Sequence, residues 1–136
     1  MKKMKIFDSV VALLATFLTY LFGGWDIALA ILITFMILDY ITGIIVAIIK
    51  KTLNSEVGFN GLVKKCTILI VLIVGAMLDR LLNGDWVFRT LVAYFYIANE
   101  GVSLLENASN IGIPIPAKIK DALEQLNNKE ESEKQE

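Results

Sequence analysis

Histidine is absent from this 136-residue sequence, and cysteine occurs once, at Cys66. An intramolecular disulfide is thereby excluded, and a His/Cys metal centre is implausible. The lack of histidine removes the commonest general base, and no GxSxG, phosphate-loop or HExxH pattern is present, so an enzyme is not expected. Nor does any motif call for a cofactor. Charge of one sign is gathered nowhere: the net charge is −1, and the basic residues form no single patch, so nothing points to nucleic acid.

What the chain has in quantity is apolar sequence, 56% of residues, with a mean hydropathy of +0.63. It comes in long blocks separated by short charged islands, the pattern of a polytopic membrane protein. The most apolar block runs from Ile27 to Ile49, 23 residues in which the one charged side chain is Asp39. As a helix it is roughly 35 Å long, enough to cross a hydrocarbon core of about 30 Å. A carboxylate near mid-bilayer costs at least ~2.5 kcal/mol, so Asp39 is expected to face protein or water. Thr42 and Gly43 lie three and four residues on, beside it on the helix. Gly43 and Ala47 form a small-xxx-small pair that admits another helix closely. Asp39 then either makes an interhelical hydrogen bond or borders a polar pathway.

Before this block, Lys2, Lys3 and Lys5 precede an apolar run from Ile6 to Phe22. Asp8 at the junction and the lack of an A-x-A-like site argue against a cleavable signal peptide. A stripe of Asp8, Ala12, Ala15, Thr16, Thr19 and Gly23 suits packing on another helix or bordering water. Residues 23–26 read as a turn, and 50–65 as a polar loop with turns at Gly58 and Gly61. The third apolar run spans Cys66 to Leu82, with Asp79 and Arg80 expected to pair at its end. After a turn at Asn83-Gly84-Asp85, a weaker run begins at Trp86 and is interrupted by Arg89. It is long enough to span only if the helix continues toward Asn110. Its continuation carries Asn99, Glu100, Ser103, Glu106, Asn107 and Asn110 on one face, either outside the membrane or partly submerged. Pro114 and Pro116 must end that helix. Residues 117–126 can form a short amphipathic helix through Ile119, Ala122, Leu123 and Leu126, while 127–136 have no apolar group and are expected to be disordered.

The expected fold is therefore all-α: a membrane domain over residues 1–126, with spans near 6–22, 27–49, 66–82 and 86–108, a short cytoplasmic amphipathic segment, and a charged tail from 127. Four spans place eleven of the thirteen basic residues on one side and only Arg80 and Arg89 near the other, so both termini are expected in the cytoplasm. A three-span arrangement divides these charges less cleanly.

The Asp39-Tyr40-Ile41-Thr42-Gly43 stretch, the Gly58 to Lys65 loop GFNGLVKK and above all Ala98 to Pro116, ANEGVSLLENASNIGIPIP, resemble the toxin-secretion and phage-lysis holin family. The resemblance covers roughly Phe22 to Leu126. It implies a phage or prophage protein that oligomerises in the host bacterial inner membrane and opens it, timing lysis. Its implied partners are copies of itself, the lipid bilayer, a cell-wall hydrolase or toxin released without specific binding, and an antiholin. The family has no catalytic residues to carry over. The matching motif positions are Asp39, Thr42, Gly43, Glu100, Ser103, Glu106 and Asn107, as candidates for a pore or oligomer interface, and Gly58, Gly61, Lys64, Lys65, Pro114 and Pro116 in loops and turns. Met1 and Met4, separated by two lysines, are candidate alternative starts, Met4 being otherwise an incidental internal residue. Two readings from other classes stay open: a small four-helix transporter using Asp39, and a membrane scaffold recruiting a soluble partner through residues 117–136.

Overall fold

The computed structural model describes residues 1–133, with side chains through Gln125. It contains five helices among the described residues and no strand: α1 (Lys2–Phe22), α2 (Ile27–Ile49), α3 (Ser55–Leu81), α4 (Val87–Ile111) and α5 (Ala117–Glu133). By length and composition, α1, α2 and α3 can each cross a membrane. The polar face of α4 keeps it out of that group. Yet α4 runs beside α2 for nearly the whole of α2, from an Asp26–Arg89 ion pair at one end to a Lys50–Asn110 contact at the other.

Local sequence sets the helix ends. Asp26 starts α2, its Oδ1 accepting from the Leu29 N–H at 3.0 Å. Asn54 starts α3 in the same way, accepting from the Val57 N–H at 2.8 Å, with Glu56 in the first turn where the helix dipole favours an anion. That cap corrects the expected loop: residues 55–65 are helical, and Gly58 and Gly61 are not turns. Both instead lie against Tyr40 of α2, whose hydroxyl donates to the Gly58 carbonyl at 3.2 Å, while a Cβ on Gly61 would meet the Tyr40 ring at 3.3 Å.

The core is shared by α2, α3 and α4, through Leu29, Leu32 and Met36, Ile68 and Leu72, and Ala93 and Ile97. Lipid tails are as apolar as leucine, so membrane helices associate through close packing and hydrogen bonds, which favours small residues at the contacts. Gly75, Ala76, Ala93, Ala98 and Gly101 are all buried. α1 differs. Residues 1–20 are exposed throughout, and α1 contacts α3 and joins the core only at its end, through Phe22. Its stripe packs on no helix along most of its length; the Thr16 and Thr19 hydroxyls donate instead to the carbonyls of Ala12 and Ala15.

α4 closes at Gly112, in the left-handed region at φ 100°, and the chain reverses through Pro114 and Pro116 as expected. α5 then folds back along α4. It continues past Leu126 to Glu133, so residues 127–133, expected to be disordered, are helical; 134–136 lie outside the described residues, as does the Leu126 side chain.

Candidate functional site

Three charged side chains from three helices meet in the half of the bundle remote from the α1–α2 turn. Lys65 of α3 contacts both Asp39 of α2 and Glu100 of α4. Asn107, seven residues beyond Glu100 on the same face of α4, donates to the second Asp39 oxygen at 2.9 Å, to the Asp39 carbonyl at 3.1 Å and to the Thr42 hydroxyl at 3.0 Å. Both Asp39 oxygens are thus engaged. Gly43 lies beside this amide, a Cβ there meeting the Asn107 amide nitrogen at 3.7 Å, an ordinary contact.

A cavity of about 650 Å³ opens on this cluster, lined among others by Gly43, Asn99, Ser103 and the three charged residues. With two carboxylates and one ammonium the cluster carries one net negative charge. What it does chemically is bind helices together: Lys65 bridges the two carboxylates, Asn107 donates to the other Asp39 oxygen, and α2, α3 and α4 are thereby cross-linked. Among the described residues no group of His, Cys, Asp and Glu is placed to hold a metal ion.

The residues singled out from sequence divide cleanly. Asp39, Thr42, Gly43, Glu100, Ser103 and Asn107 come together, and Lys65 joins them from the stretch expected to be a loop. Lys64 and Gly61 border the same cavity. Glu106 does not: it is exposed on α4 and lines a separate space of about 590 Å³ between α4 and α5, with Pro114, Lys120 and Glu124. Pro116 serves the turn, and Met1 and Met4 are exposed at the start of the chain.

Sequence reasoning missed a second polar cluster, at the opposite end. Arg89 is 4% exposed and clamps the α1–α2 turn. Its guanidinium donates to the carbonyls of Phe22 and Gly24 and to both oxygens of Asp26, at 2.7 and 3.2 Å. The Arg89 hydrogen bond holds the Asp26 carboxyl below the usual carboxylate range. Gly23 is required beside it: its φ is 79°, and a Cβ would come within 2.7 Å of the Trp86 ring and 2.9 Å of Arg89 Cδ. The expected Asp79–Arg80 pair is not formed. Asp79 caps α4, accepting from the Phe88 and Arg89 N–H groups at 3.0 and 2.8 Å, while Arg80 stacks on the Tyr20 ring at 4.0 Å and donates to the Tyr20 carbonyl. The legible signal was positional: Asp26 and Arg89 each stand at the start of an apolar run, and alternating runs bring those starts to one end.

The sequence profile of the bacteriophage holin family matches residues 16–128, most of the chain and the whole of both clusters. The chain belongs to the bacteriophage holin family. An uncharacterized 14.9 kDa protein in the nagH 3′ region of Clostridium perfringens is 57% identical over 117 residues, which is 85% of this chain and 89% of that protein. An uncharacterized protein of Bacillus subtilis, YqxH, is 38% identical over 115 residues, 85% and 81% of the two chains. One of Listeria monocytogenes is 36% identical over 104 residues, 76% and 74%. No solved structure matches. For a holin-type membrane protein the polar clusters read as structural ties between helices, and the surface left over decides what such a bundle can join.

Proposed function

We propose that this protein is a holin whose copies associate in the bacterial inner membrane and open it, so that a cell-wall hydrolase or toxin escapes without being specifically bound. The observation that supports this best is how one copy divides its surface. α1 is exposed along its length, and α2 and α3 present Ile37, Leu38, Ile41, Ile45, Ile70 and Val74 outward. The α4 side exposes Phe88, Leu91 and Tyr94 over its first half but Asn99, Glu106, Ser109 and Asn110 over its second. A bundle with one wet flank and one oily flank, too small to surround a folded enzyme, reaches a large opening only as many copies with their polar flanks turned together.

In this reading α4 is a fourth crossing, carried by its fit along α2. Its buried acid and its partly buried amide, Glu100 and Asn107, are tolerated because Lys65, Asp39 and Thr42 satisfy them. Both termini are cytoplasmic, as the distribution of lysines favours. The protein is not an enzyme.

Inducible expression in a bacterium, alone and together with a cytoplasmic muralytic enzyme, tests the reading. The expected outcome is a lag, then abrupt permeabilisation, with lysis only when the muralytic enzyme is present. Graded, solute-selective flux in viable cells would replace this reading with a transporter, and no permeability at all would replace it with a scaffold.

A further inference from the structure

α5 ends up where a charged helix has no place beside lipid. Leu123 lies against Gly101 of α4, so closely that a Cβ on Gly101 would come within 2.9 Å of Leu123 Cδ2 and 3.2 Å of the Phe35 ring of α2. Phe35 is eight residues after Ile27 and fourteen before Ile49, about 12 Å and 21 Å from the two ends of α2 at 1.5 Å per residue. The contact point is therefore about a third of the way along a helix that crosses the membrane. α5 brings Lys118, Lys120, Asp121 and Glu124 back along α4 toward that depth, all of them exposed. Ionised side chains are not tolerated against hydrocarbon, so water must border this side of the molecule. The opposite side, with Ile37 exposed on α2 at comparable depth and Ile41 and Ile45 further along, borders lipid.

We propose that the α4–α5 flank is the water-facing wall of the assembly and that α5 is a plug seated in it, pinned by Leu123 in the notch left by Gly101. The Gly112 to Pro116 turn fixes the reversal that brings α5 back. A space of roughly 590 Å³ lined by Glu106, Ser109, Lys120 and Glu124 separates α5 from α4 between that pin and the turn. Withdrawal of α5 from this contact with α4 would widen the passage. This inference rests on the holin reading.

The test uses the full-length Cys66→Ser protein in liposomes. Spin labels at Lys120→Cys and Glu124→Cys are expected to be accessible to a water-soluble paramagnetic chelate, and a label at Ile45→Cys to oxygen instead. Lys120 or Glu124 labels that favour oxygen would overturn the wall assignment. Release of an encapsulated fluorescent dextran is read in parallel. Leu123→Asp should raise the initial release rate severalfold at equal reconstituted protein. A Val102→Cys/Glu124→Cys disulfide should lower it, with reduction restoring it. Unchanged release in both variants, or lost release in Leu123→Asp, would overturn the plug. No release from the parent protein would overturn the proposed function, while the spin labels would still decide where α5 sits.

Discussion

Removing the amine of Lys65 is the most informative single change in this protein. Lys65→Met keeps the length and apolar character of the side chain but leaves Asp39 and Glu100 facing one another. The side chains of Asp39, Glu100 and Lys65 are only 12%, 5% and 16% exposed, so water from the adjoining cavity replaces the lost ammonium only in part. Breaking a buried ion pair by deleting one partner costs about 3–5 kcal/mol. Here two pairs share the lysine. Reversible unfolding in detergent micelles, followed by tryptophan fluorescence of Trp25 and Trp86 and by helix content, measures it. Lys65→Met should be destabilised by that amount. Adding Asp39→Asn and Glu100→Gln should recover most of it, because neutral amides left without the lysine carry no uncompensated charge. The coupling among the three sites is obtained from the mutant cycle. If Lys65→Met unfolds like the parent, or if the triple variant loses as much as the sum of the single changes, the cluster does not tie the helices together.

Arg89→Met should release the α1–α2 turn, making it susceptible to limited proteolysis between residues 23 and 26 while the parent resists. The same pair sets a pH dependence. The folded Asp26 pKa lies below its ordinary value of 3.8, so the stability from its pair with Arg89 is complete above that value and is lost as pH falls through the folded one. An unfolding series from pH 6 to pH 2 should show this acid loss in the parent and less of it in Arg89→Met; equal losses would refute the pair. Asn107→Leu, which strips the donor from Asp39 Oδ1, should destabilise the bundle by about 1–3 kcal/mol in the same micelle assay. Cysteines at Lys3 and Lys118 in the Cys66→Ser background should both resist an impermeant thiol reagent in intact cells, and labelling of either would overturn the placement of the termini. If Met1 and Met4 are alternative starts, Lys2 and Lys3 restrain outward movement of the N-terminus by about 2.3 kcal/mol per charge per 100 mV. Met4→Leu should then delay lysis and a start at Met4 should advance it, with an uncoupler erasing the difference; equal lysis times would refute it.

The sequence by itself determined that the chain is a set of apolar helices in a membrane, because long uncharged runs and their punctuation by Gly, Pro and charge are local properties. It also determined that Asp39 must face protein or water and not lipid, since the cost of an isolated carboxylate in lipid does not depend on the fold. It brought out the polar stripe of α4 through helical periodicity alone. Tertiary structure decided which partner. Lys65 looked like a loop residue because residues 55–65 are polar, but the Asn54 cap and the Tyr40 contacts extend α3 through them, and only then does the lysine face Asp39 and Glu100. The Arg89 clamp and the return of α5 onto Gly101 were likewise settled in three dimensions. Both depend on which helix ends coincide and how closely two backbones approach, distances set by packing between segments far apart in the chain, to which a pattern read along one segment is blind.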